Sequence, residues 1–373
     1  MNYEQRQREL TAQFQLGANT HIKETNIDIQ FFKFKSNTFT IDEEKKIVHP
    51  ADSQITENLF FEYPVFVPAG MTRTDNAILL MHGLNERSWN KYLCWAEYLC
   101  TSTGKPVILF PIAFHMNRSP VNWSNPRALQ PILDARRKLF GADRTLSFAN
   151  VAFSERITEN PIRFYSSGRQ SLSDLSELTM SIKQGQHPLF KEDTHLDIFS
   201  YSIGAFLSQI TLMTNTAGLF SNSKLFMFCG GGIFSSMFGE SRCIMDKHAF
   251  KRLLDYYTKD FAVEEKVKLL IDKGFESFFS MISPERNKEA RESFFHELGN
   301  RISGISLLRD TVIPYRGVVE ALGNNCAEKH ISLNDFSYSY THENPFPLDA
   351  GINKTELNRA FSSVFSKAAE FLA

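Results

Sequence analysis

At 373 residues the chain exceeds the usual size of a single hydrophobic core, which predicts one large α/β domain with insertions or a main domain with a small companion. Its 42% hydrophobic and 22% charged residues exclude disorder and fibrous structure. A formal net charge of −1 and a pI near 6.8 give no field to attract nucleic-acid phosphates or anionic lipid, so nucleic acid is a poor partner.

The first ten residues, MNYEQRQREL, are polar, no signal-type apolar core follows them, and no segment reaches the length of a membrane span. A cytoplasmic protein is the expectation. Up to about residue 75, mixed or alternating apolar segments at 29–34 and 59–67 predict antiparallel strands at a sheet edge, an N-terminal extension over residues 1–75. From residue 76 the rhythm changes to short, nearly continuous apolar runs separated by helical patterns, as expected for strands of a parallel sheet buried on both faces. The predicted strands are Ala77–Met81, Pro106–Ile112, Leu196–Ser200, Lys224–Phe228, Ile302–Leu308 and Phe336–Tyr340. Helical spacing of apolar residues runs from Trp89 to Leu99 and from Leu357 to Ala368, the latter preceded by Asn353 and Glu356 in capping-box positions. Two stretches interrupt the alternation within residues 76–373. Residues 113–194 carry a helical segment near Leu172–Ile182, and residues 233–300 carry several helical patterns that suit a lid or cap over the carboxyl edge of the sheet.

The five cysteines, at positions 94, 100, 229, 243 and 326, include no CxxC pair, which argues against a disulfide framework and a thiolate zinc site and predicts free or buried thiols. Most of the 34 phenylalanines are expected in cores, with the excess suited to lining an apolar pocket.

The strongest local signal is the apolar strand Leu196–Tyr201 leading through Ser202, Ile203 and Gly204 into a helical run. A strand that turns sharply at a serine into a helix exposes the hydroxyl, and small neighbours relieve the crowding. Upstream, the strand Ala77–Met81 ends in His82, Gly83, Leu84 and Asn85. Downstream, an apolar strand ends at Asp310, followed by Val312 and Pro314, and His342 follows the last predicted strand. A nucleophilic serine needs a base, and the base needs a carboxylate to orient it and to stabilise its charged form. Four short motifs in this order resemble the α/β-hydrolase superfamily, with Ser200 standing where that family has the first glycine of Gly-x-Ser-x-Gly.

The resemblance implies an α/β-hydrolase fold, a mostly parallel central sheet flanked by helices, with a catalytic triad of Ser202, Asp310 and His342. It implies an oxyanion hole from the backbone N–H groups of Leu84 and Ile203, and it implies no cofactor. The expected substrate is a small acyl compound, a carboxylic ester with an apolar acyl chain in the first instance. A thioester, a peptide or an acyl acceptor would suit the same residues, and a binding protein that keeps the fold without turnover is the rival. His82 is expected to brace its loop. His330 lies at the wrong end of its strand for chemistry. Arg118, Trp123 and Arg127 sit where they could reach a pocket, although structural roles suit each. Gly230–Gly232 is read as a crowded turn near the pocket, and neither His296–Glu297 nor His342–Glu343 has the second histidine of a zinc protease, so no metal is expected.

Overall fold

One sheet of nine strands organises the computed structural model, which describes residues 2–39, 51–264, 267, 270–349 and 351–373. The strands are β1 (Thr20–Ile22), β2 (Ile27–Lys35), β3 (Phe60–Pro68), β4 (Thr74–Met81), β5 (Val107–Leu109), β6 (Phe190–Tyr201), β7 (Leu225–Phe228), β8 (Ile302–Leu307) and β9 (Ile331–Asn334), in the spatial order β1-β2-β3-β5-β4-β6-β7-β8-β9. β1, β2 and β3 pair antiparallel, and β3 joins β5 antiparallel. Every pairing from β5 through β4 to β9 is parallel.

The continuous apolar runs have a simple cause. Successive side chains of a strand point to opposite faces, so where a strand is covered on both sides apolar residues follow one another instead of alternating with polar ones. In β4, Ala77, Leu79 and Met81 enter the core on one face while Ile78 and Leu80 enter the core on the other; Leu225 and Met227 separate from Phe226 and Phe228 in the same way. The helices Asn90–Thr103 and Lys354–Leu372 cover the second face, joined by the N-terminal helix Tyr3–Gln13. Helices Ile162–Lys183 and Ile203–Thr214 cover the first. Asn353 caps Lys354–Leu372 by accepting from the amides of Thr355 and Glu356, whereas the Glu356 side chain returns no bond among the described residues, so only half of the expected capping box forms.

Three strand expectations need correction. Phe336–Tyr340 is not a strand: Phe336 and Tyr338 are buried alternately like strand residues, but the Arg309 guanidinium takes their carbonyl oxygens in place of a ladder. The last strand is Ile331–Asn334, paired with Gly304–Leu307. The β5 ladder stops at Leu109, because the next segment turns toward the loop after β4, where the Ile112 amide donates to His82. β6 begins at Phe190, so the last five residues assigned to the first insertion belong to the strand.

The first insertion folds as Pro126–Phe140, Val151–Glu159 and Ile162–Lys183, and the second as Lys247–Asp255, Lys273–Ser280 and Lys288–Leu298. Buried Arg136 clasps Asp246 between them with two bonds of 2.8 Å, and the Tyr257 hydroxyl donates to Pro161 while accepting from the Tyr165 amide. Residues 40–50 of the N-terminal extension and 265, 266, 268 and 269 of the second insertion lie outside the described residues. No helix among the described residues is long and apolar enough to cross a membrane.

Candidate active site

Strand β6 ends at Tyr201, Ser202 adopts φ 55° and ψ −125°, and a helix begins at Ile203. A serine at positive φ is strained, and the reversal is possible only where neighbouring chains come very close. A Cβ on Gly204 would lie 2.7 Å from the carbonyl oxygens of Met81 and His82; one on Gly230 would lie 2.6 Å from the Ala205 Cβ and 2.7 Å from the Ser202 oxygen. These glycines are needed for space. The expected crowded turn at Gly230–Gly232 is this packing against the serine. Ser200 fits the position of the family's first glycine because its hydroxyl points across to β7 and donates to the Phe226 carbonyl at 3.2 Å.

The structure brings Ser202, His342 and Asp310 together. The Ser202 hydroxyl lies 2.7 Å from Nε2 of His342, whose Nδ1 lies 2.7 Å from Oδ2 of Asp310. Oδ1 of Asp310 accepts from the amides of Val312 and Ile313, both at 2.9 Å. A carboxylate only accepts, so the proton of the imidazole sits on Nδ1 and leaves the Nε2 lone pair for the serine proton. The Tyr201 hydroxyl donates to the His342 carbonyl and its ring stacks on the imidazole with centroids 5.6 Å apart. Burial holds that phenol far above its ordinary pKa, so it stays a donor. All three side chains are only 3–4% exposed.

Leu84 and Ile203 line a cavity with Ser202, and the N–H of neither has a hydrogen-bond partner among the described residues. For Ile203 this follows from its place as the first residue of a helix, where the amide has no intrahelical acceptor and the dipole favours negative charge. His82 braces the Leu84 loop, donating from Nδ1 to Gly83 (2.8 Å) and accepting at Nε2 from Ile112 (2.9 Å). Asn85, at φ 59°, ties the loop to both insertions by donating to Ala149 (2.9 Å) and Cys243 (2.7 Å).

Two cavities meet at Leu84, Phe164 and Ile203. The smaller holds about 450 Å³, including space open to solvent, and Ser202 shares it with Phe234, Met237, Ile244, Met245, Phe250 and Leu253 of the second insertion. The larger holds about 980 Å³ on the same measure and is walled mainly by the first insertion and the helix Ile203–Thr214. Trp123 lines it. Arg118 does not: it is fully buried in a brace to Pro111, Asn58, Ser36 and Asp174, while Arg127 sits exposed at a helix start. Sequence reasoning missed Arg87, His115 and Arg156, which line the larger cavity. Only Arg87 had a signal to find it by, its place three residues after Leu84 in the same loop. Burial holds the His115 imidazole down to about 4, so it is neutral. Among the described residues no group of three or more His, Cys, Asp or Glu could hold a metal ion. His330 precedes β9, at the opposite end of the parallel strands from the loop that carries Asp310.

No curated protein matches the sequence. Among solved structures, carboxyl esterase 2 from the mycorrhizal fungus Tuber melanosporum is similar over 100% of this chain and 97% of its own, at 9% identity and a TM-score of 0.50. A mutant of esterase rPPE complexed with (S)-Ac-CPA matches over 99% and 89%, at 11% identity and a TM-score of 0.50. An S-formylglutathione hydrolase from Agrobacterium tumefaciens matches over 96% and 100%, at 14% identity and a TM-score of 0.49. The first two, with the sheet described above, show an α/β-hydrolase fold with a helical cap and an N-terminal extension. The profile of one protein family matches residues 1–373, so the whole chain, antiparallel edge strands included, belongs to the Family of unknown function (DUF6051).

Proposed function

We propose that the protein is a serine hydrolase acting on a carboxylic ester or related acyl compound. Ser202 attacks the acyl carbon as His342 takes its proton, and Asp310 holds the imidazole in the required tautomer and stabilises its charged form. The N–H groups of Leu84 and Ile203 receive the oxygen that becomes negative. His342 then returns the proton to the leaving alcohol, and water attacks the acyl-enzyme in a second passage through the same steps. The observation that carries this reading is the unbroken chain of two 2.7 Å hydrogen bonds from Ser202 through His342 to Asp310, placed at a strained strand-to-helix turn. The apolar walls of the smaller cavity favour a hydrocarbon arm beside the scissile bond. Thioester cleavage, peptide cleavage and acyl transfer use the same groups with a different leaving group or acceptor.

In this reading residues 76–373 form the catalytic unit, roofed by the two insertions, and residues 1–75 extend its sheet. The five free thiols suit a reducing cytoplasm. The test is labelling by a fluorophosphonate probe, with turnover of short and long p-nitrophenyl esters. Wild-type protein is expected to label and to release p-nitrophenol, and Ser202→Ala to do neither. Labelling of Ser202→Ala equal to wild type overturns the nucleophile assignment.

A further inference from the structure

Among the described residues five charged side chains line the larger cavity, and their balance is uneven. Glu86 is bound by Lys91, Arg169 by Asp272 at 2.5 Å, and Arg163 by Glu159 at 2.5 Å. Arg156 has Asp52 at 2.8 Å, but Asp52 is shared with Arg163 at 3.4 Å. Among the described residues Arg87 meets only neutral groups: the Trp123 carbonyl, the Ser124 hydroxyl and the Asn85 side-chain oxygen. Positive charge therefore exceeds negative in a space that is otherwise largely apolar.

Two of these guanidinium groups keep a buried nitrogen without a hydrogen-bond partner among the described residues, Nε of Arg87 and Nη1 of Arg156. Arg156 is 4% exposed, and its guanidinium lies over the rings of Phe114 (5.2 Å) and Trp123 (4.2 Å), both in the cavity wall. A buried donor left unpaired costs free energy, and a fixed guanidinium loses little freedom when a ligand pairs with it. His115 in the same wall also has an unpaired atom. Its Nδ1 donates to Ala113, so Nε2 offers a lone pair and takes an O–H or N–H.

Resting on the hydrolase reading above, we propose that the larger cavity receives a carboxylate carried by the substrate, paired with Arg87 and Arg156, so that the ester cleaved is an anionic one. Two planar N–H donors suit the two oxygens of a carboxylate. A mainly apolar wall favours a monoanion, because moving a doubly charged phosphate out of water costs far more. Burial without an acidic partner lowers the Arg87 pKa to about 10, so it remains charged near neutrality, and a bound anion would raise it again.

Two pairs of esters test this: mono-p-nitrophenyl adipate against p-nitrophenyl hexanoate, and 3-carboxyphenyl hexanoate against phenyl hexanoate. The first pair puts the charge on the acyl arm and the second on the alcohol arm. In wild type, one charged ester is expected to exceed its neutral partner in kcat/KM by about tenfold or more, and Arg87→Gln to bring that ratio to about 1. Calorimetry with Ser202→Ala measures binding of the same esters without turnover, so the result stands apart from the chemistry. There too the charged ester is expected to bind about tenfold more tightly, with the advantage lost in Ser202→Ala/Arg87→Gln. Equal binding of charged and neutral esters overturns the proposal, and so does tighter binding of hexyl phosphate than of the charged ester. Fluorophosphonate labelling of the wild type reports separately on the hydrolase reading. A labelled enzyme indifferent to charge rejects the carboxylate alone; an unlabelled one that still prefers the charged ester rejects the chemistry alone.

Discussion

On the hydrolase reading proposed above, Asp310→Asn separates orientation of the base from stability of the fold. Oδ1 of Asp310 accepts from two amides at 2.9 Å, and Oδ2 accepts from His342 Nδ1 at 2.7 Å. An asparagine amide must keep its oxygen toward the two backbone donors, because its NH₂ there would oppose two N–H groups. The NH₂ is then turned toward Nδ1, which can meet it only as an acceptor, and the ring proton moves to Nε2. That nitrogen now donates to Ser202 and cannot take its proton. The loss expected for a wrong tautomer is about 10⁴-fold in rate, roughly 5 kcal/mol of barrier. Both backbone bonds survive, so thermal unfolding should shift by only a few degrees. The assays are the rate of fluorophosphonate labelling, the burst of p-nitrophenol and a melting curve. A variant that keeps its labelling rate within tenfold of wild type, with an intact fold, would refute this account of the base.

Three further outcomes follow from the packing. Gly204→Ala puts a methyl 2.7 Å from two backbone oxygens at the end of β4, which cannot move without breaking the ladder, so a loss toward the upper end of about 1–3 kcal/mol is expected in urea, with slower labelling. Arg118→Met leaves Asp174 charged and buried without its 2.8 Å partner, a loss of about 3–5 kcal/mol, part of which Asp174→Asn in the same chain should restore. His187 is held down to about 4 by burial and by the nearby Arg73 charge, and His115 to about 4 by burial, whereas unfolded histidine titrates near 6.5. The unfolded chain therefore binds more protons between those values: stability is complete above pH 6.5 and falls on acidification, by about 3 kcal/mol per histidine at pH 4. His187→Gln can still meet the Tyr63 hydroxyl and the Leu189 amide, and it should flatten the melting temperature against pH across that window; curves parallel to wild type would reject the assignment.

The sheet was legible wherever the signal was local. An unbroken apolar run such as Ala77–Met81 means burial on both faces, and the passage from Tyr201 through Ser202 to Gly204 marks a sharp turn whatever surrounds it. Asp310 could be selected because strand ends are where such groups gather; His342 was selected behind a strand that does not form, yet the two side chains meet in the folded chain. The false strand at Phe336–Tyr340 has a physical cause: alternation reports which side chains are buried, and a segment held by Arg309 buries alternate rings as a ladder does. Arg87 and Arg156 were missed because their setting comes from folding at a distance. Asp52, Trp123 and the Phe114 ring reach Arg156 from three separate segments, and no pattern around residue 156 announces them.

Asn85 lies next to Leu84 and gives both its side-chain hydrogens away, one to each insertion. Displacing either insertion would break one of these two bonds and loosen the hold on the peptide that precedes Asn85. On the hydrolase reading proposed above, this one amide couples the packing of both insertions to the position of the Leu84 N–H that would face the developing charge.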